Sequence, residues 1–162
     1  MMSGHDVILW TVRVSVAFYA ISVWLAFSDR HTTSRVASAF RFCWTASWLW
    51  CVIHVLCAFH FQHHWDHTAA LKHTSEMTHR VVGIHWSGGL YINYVFLTVW
   101  AADIVRLFRH PAVGSSRLIQ WVAAFMMFNA TVVFGPRWWW IPLILLVAAL
   151  LIRRMGTRTA GT

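Results

Sequence analysis

The sequence predicts an all-α polytopic membrane bundle of about five transmembrane helices. Three observations carry that expectation. Hydrophobic residues fill 59% of the 162 positions and charged residues only 11%, against about 25% charged in an ordinary soluble domain. The apolar residues form long runs near the ~20 residues that a membrane-crossing helix needs. The 13 basic residues sit in short groups, most of them between those runs, as topogenic charge does in membrane proteins. The formal net charge of +8 therefore reads as topology. Neither nucleic acid nor nucleotide is expected as a partner.

The first span is expected near 7–27. The residues before it, Met1 to Asp6, lack a basic region, and no small-residue cleavage site follows. No cleavable signal peptide is expected, so this segment stays in the membrane. A polar connection, Ser28 to Arg35, leads to a second span near 36–61. A His-rich polar segment follows at 62–85, and the third span runs near 86–108. Gly88 and Gly89 stand near its start, where missing side chains permit close packing. Pro111 and Gly114 are stop signals. The apolar stretch Leu118 to Ile152 is too long for one span. Gly135, Pro136 and Arg137 divide it into spans near 118–134 and 138–152. No internal repeat or separate soluble domain is evident, so residues 1–162 read as one integral membrane domain.

Orientation follows from the loop charges. With five spans, Arg13, Lys72, Arg80 and Arg137 lie on the side of the N-terminus. Arg30, Arg35, Arg41, Arg106, Arg109, Arg117, Arg153, Arg154 and Arg158 lie toward the other. Nine against four places the N-terminus outside and the C-terminus in the cytoplasm. In a bacterial inner membrane the His-rich segment then faces the periplasm. Trp10, Trp65, Trp86 and Trp138 to Trp140 fit an outer interfacial belt, and Trp24, Trp100 and Trp121 an inner one.

The chemistry concentrates between His54 and His85, which hold eight of the eleven histidines. A second helix continued through this run puts His60, His64 and His67 within about 60° of arc on one face, with Cys57 one turn below and His63 to one side. Imidazole is the commonest metal ligand. His60, His63, His64, His67 and His79 are therefore the candidate metal ligands, and copper, iron or haem b the candidate cofactors. His5, Asp6, His79 and His85 are the candidates for a ligand from elsewhere. His54 lies about two turns inside the second span, where an ionisable residue marks a functional site. As an axial haem ligand it needs a second histidine at matching depth, and His85 is the candidate. A plain hydrogen bond to another helix is the alternative. His73 reads as solvated.

The neighbouring polar residues have simpler readings. Asp66 to Arg80 has helical character, either as a surface helix or as a continuation of the second span. Asp66 is a candidate acceptor for a ligating imidazole. Glu76 and His79 form a single Glu-x-x-His pair, a motif that di-metal bundles use in duplicate. Asn93 inside a span predicts an interhelical hydrogen bond, with Tyr91 and Tyr94 as further polar handles. Asp103 is placed to pair with Arg106 three residues on. Arg13 is expected to snorkel outward or to pair with Asp66 or Glu76. Cys43, Cys51 and Cys57 match no zinc spacing and stand too far apart on one helix for a disulfide. Too few protonatable groups lie between His54 and Asp103 for a proton path.

The pattern His60-x-x-His63-His64 resembles one histidine box of the membrane fatty-acid desaturases and hydroxylases. In that family several boxes together bind two irons on the cytoplasmic side. The resemblance covers five residues, and the spacing of His73, His79 and His85 does not reproduce the other boxes. It implies a di-iron oxygenase acting on a lipid as one reading. A second is a structural scaffold subunit without a site of its own. The leading expectation is a small inner-membrane protein holding a metal or haem at its outer face. It would serve as an accessory or electron-transfer subunit beside other membrane proteins.

Overall fold

The computed structural model describes residues 3–27, 34–110, 114–133 and 137–159, and every regular element among them is helical. They are α1 (Gly4–Ala26), α2 (Ser34–Phe61), α3 (His67–Val82), α4 (Gly89–Arg109), α5 (Arg117–Phe128) and α6 (Trp140–Thr159). A π-helical segment, Asn129–Val133, extends α5, and a 3-10 turn, Arg137–Trp139, leads into α6. Three helices, α1, α2 and α4, are long and apolar enough to cross a membrane. The apolar stretches Arg117–Val133 and Trp140–Ile152 are shorter. Most of the expected connection at Ser28 to Arg35, together with Pro111, Gly135 and Pro136, lies outside the described residues.

Local chemistry sets the helix ends. Ser3 and Asp6 form a capping box at α1. The Ser3 hydroxyl accepts from the Asp6 N–H at 3.2 Å, and the Asp6 carboxylate accepts from the Ser3 N–H at 3.0 Å. Two N–H groups that have no intrahelical partner are thereby satisfied. Asp66 caps α3, accepting from Thr68 N at 2.8 Å and Ala69 N at 3.3 Å. Gly83 closes α3 in the left-handed region at φ 77°, its N–H on the His79 carbonyl. Pro142 falls in the first turn of α6, where its missing N–H costs no helical bond.

Packing joins the helices through polar contacts as well as apolar ones. Ser15 on α1 and Ser47 on α2 are fully buried. Each hydroxyl donates to the other's carbonyl, at 2.9 and 2.8 Å. Such small residues let two backbones approach closely. Trp48 on α2 donates its indole N–H to the Leu97 carbonyl of α4 at 2.9 Å. The apolar core lies toward the end of the bundle opposite the histidines. Tyr19, Phe40, Trp44, Phe96, Trp100, Ile104, Leu107, Ala123 and Met127 compose it. The Trp44 and Trp100 ring centres are 4.8 Å apart.

At that same end Asp103 is buried among five donor contacts. Oδ2 accepts from Trp44 Nε1 at 3.2 Å and Ser115 Oγ at 2.6 Å. Oδ1 accepts from Ser116 N at 3.2 Å and from Arg106 at 2.7 and 3.3 Å. The expected Asp103–Arg106 pair is present, within a node that also ties α4 to α2 and to the approach of α5. Arg13 does not pair with Asp66 or Glu76. Its guanidinium lies over the rings of Trp10 and Trp138, 5.2 and 5.4 Å from their centroids.

Candidate functional site

The second helix does not continue through the histidine run. It ends at Phe61, and His64 and Trp65 adopt left-handed backbone, at φ 49° and 63°. The chain turns there, and Asp66 starts a separate helix. His60, His64 and His67 therefore do not share the face that a continuous helix gives them. His60 and His64 are exposed, and His60 accepts the Trp65 indole N–H at 3.3 Å. His67 sits among Phe59, Tyr91 and Tyr94, with ring centres 6.3, 5.9 and 6.2 Å away. Asp66 acts as a helix cap, and Glu76 is exposed.

The turn brings together two histidines that sequence separation keeps apart. The His63 and His73 ring centres are 5.3 Å apart at an interplanar angle of 56°. The Gln62 side-chain amide nitrogen lies 3.1 Å from Nε2 of His73. Burial, then the neighbouring charge of His73, pushes the His63 imidazole below its ordinary pKa, while Asp66 opposes the shift. His73 joins the site through the helical hairpin, and no local motif marks it.

His79 and His85 form another pair, with ring centres 3.9 Å apart and planes within 8°. The ring-nitrogen lone pairs of two stacked, parallel imidazoles lie in parallel planes and do not converge on a shared ion. Among the described residues no three His, Cys, Asp or Glu side chains group as metal ligands. The described structure thus contains histidine pairs, in place of one large cluster.

Inside the bundle, a cavity of about 190 Å³ runs between His63 and His54. Its walls come from α1, α2, α3, α4 and α5, with Ala130 of the π-helical segment. Most of the lining is apolar; Ser15, Cys51, His54, His63 and Asn93 supply polar groups. The Asn93 side chain makes no hydrogen bond among the described residues, so the expected interhelical bond is not seen there. π-Helical turns often accompany functional sites. The cavity faces the aromatic core through Phe96.

His54 is anchored from one side. Its Nδ1 lies 3.0 Å from the Ile8 carbonyl and 3.3 Å from Thr11 Oγ1. The Thr11 hydroxyl donates its proton to that same carbonyl at 2.8 Å. Thr11 therefore turns a lone pair toward the ring, and the proton between them belongs to Nδ1. In the neutral ring Nε2 keeps its lone pair. His85 is exposed and stacked on His79, so the two histidines expected to flank a haem face different surroundings. At Gly88 a Cβ would run into the ring of Trp86 two residues before it.

No protein-family model, curated protein or solved structure matches this chain.

Proposed function

We propose that this is a five-span inner-membrane protein that holds a transition-metal ion on an outward histidine face. His63 and His73 are the protein ligands. The chain acts as an accessory or electron-transfer subunit of a larger membrane complex. The 5.3 Å separation of the His63 and His73 rings carries the reading. A metal–nitrogen bond of about 2.0–2.1 Å puts each ring centre roughly 3.2 Å from the ion, and two imidazoles on a tetrahedral ion then stand about 5 Å apart. The lowered pKa of His63 keeps its lone pair available at neutral pH, as metal binding requires.

Copper, iron and zinc all suit imidazole ligands. Two protein ligands leave coordination positions for water or for a group on a partner subunit, which supports an accessory role. One pair is also a smaller set than the two-iron site implied by the desaturase resemblance. The charge bias of the loops supports the outward orientation. Large apolar side chains exposed on α5 and α6, among them Leu118, Trp121, Phe125, Ile141 and Leu145, offer surface to lipid and to neighbouring subunits.

The test is elemental analysis of the native protein, followed by titration of the metal-free form with Cu2+ and Zn2+. Wild type is expected to take up one ion per chain on this face. His63→Ala and His73→Ala each remove it, and His60→Ala and His79→Ala retain it. Unchanged stoichiometry in the His63→Ala/His73→Ala protein would sink the reading.

A further inference from the structure

The same cavity is lined by a second set of donor-bearing residues. Cys51 and His54 stand three residues apart on α2, the spacing that brings side chains together on one helix face, and both line the cavity. Met126 and Met127 line it from α5. Residues bearing a thiol, an imidazole and two thioethers thus line one small space inside the bundle. His54 already has the anchoring found at metal sites, where a ligating histidine donates its other ring N–H to a backbone carbonyl or carboxylate. Here Nδ1 is held by Ile8 and Thr11, and Nε2 has no hydrogen-bond partner among the described residues.

We propose that this cavity is a Cu(I) site formed by the Cys51 sulfur, His54 Nε2 and the thioether of Met126 or Met127. Donor type selects the ion, because thiolate and thioether ligands favour Cu(I). Charge selects it as well. Binding forms the Cu–S bond and releases the Cys51 proton to solvent, so one thiolate neutralises one monovalent cation. A divalent ion in the same place would leave a net positive charge inside the membrane, where uncompensated charge is costly. Copper stays in the cuprous state throughout, and no electron is transferred. The site shares no proposed ligand with the outer His63–His73 pair and does not depend on it.

The test uses the full-length protein in detergent under anaerobic conditions, in the His63→Ala/His73→Ala background. That background removes the outer pair, so failure of the outer reading and failure of this one are read separately. Cu(I) is titrated in competition with a chromophoric cuprous chelator, and one ion per chain is expected. Cys51→Ser and His54→Ala each weaken binding at least tenfold. Thr11→Val, which loosens the anchoring of His54, weakens it by about 10- to 100-fold. X-ray absorption of the loaded protein shows both sulfur and nitrogen neighbours. Where a variant does not fold, that spectrum of the parent protein decides. Affinity unchanged in folded Cys51→Ser and His54→Ala proteins, a coordination shell without sulfur, or no uptake of Cu(I) overturns the proposal.

Discussion

Replacing Asp103 by asparagine should destabilise the bundle by a predictable amount. The Asp103 side chain has no exposed surface, and its two oxygens accept from Trp44, Ser115, Ser116 and Arg106. An amide offers one oxygen and one NH2 group. With the oxygen kept toward Arg106 and Ser116, the NH2 faces Trp44 and Ser115. The Ser115 hydroxyl can rotate and accept. The Trp44 indole N–H can only donate, so a buried donor is left unpaired, at about 1–3 kcal/mol. The lost charge adds less, because the Arg106 side chain is 36% exposed, and exposed pairs contribute about 0.2–1 kcal/mol.

The combined loss is roughly 1–4 kcal/mol. Reversible unfolding in mixed micelles, at rising mole fraction of denaturing detergent, measures it. Adding Trp44→Phe removes the orphaned N–H, so the double variant should cost about 1–2 kcal/mol less than the sum of the singles. An Asp103→Asn protein within about 0.5 kcal/mol of wild type, with an additive cycle, would refute the reasoning.

Three further outcomes follow from other contacts. Ser15→Ala and Ser47→Ala should each cost about 0.6–1.7 kcal/mol in the same unfolding measurement, while Ser15→Leu, at a position with no exposed surface, should separate α1 from α2 and fail to assemble. His63 should titrate below an ordinary histidine, with its pKa rising in His73→Ala as the neighbouring charge is removed. Its folded pKa lies below the unfolded value, so its contribution to stability is present above the unfolded pKa and is lost as pH falls through the folded one. NMR titration of the ring reads the shift, and an unchanged value in the variant contradicts the pairing. In cysteine-free protein, Lys72→Cys should react with an impermeant thiol reagent on intact cells, and Arg109→Cys only after permeabilisation. The reverse pattern would overturn the outward orientation.

The helices were more legible than the histidine site, for a physical reason. Membrane helices announce themselves by long apolar runs, and α1, α2 and α4 lie within a few residues of the expected spans. The break after Phe61 had no Gly or Pro to mark it. His64 and Trp65 turn the chain with ordinary side chains in left-handed backbone, and the available signal was Asp66 as a cap three residues before the apolar positions Ala69 and Ala70. Once the chain turns there, helical periodicity no longer relates His60 to His67, and His73 comes beside His63 instead. Asp103–Arg106 was readable because it is local. Trp44 and Ser115 were not, because their place at that carboxylate depends on how three elements meet.

The reciprocal serine contact also bears on how the protein is made. Ser15 and Ser47 are 32 residues apart, whereas Trp44 and Asp103 are separated by 59. Chains emerge from the ribosome N-terminal end first, and α1 and α2 hold their buried hydroxyls in mutual bonds without help from any later segment. The first two helices can therefore pair as a hairpin with those groups already satisfied. The Asp103 carboxylate acquires its Trp44 partner only when α4 docks on that hairpin, and its Ser115 and Ser116 donors arrive later still. Along the chain, the serine contact thus closes within the first two helices, and the Asp103 node needs the last of these segments.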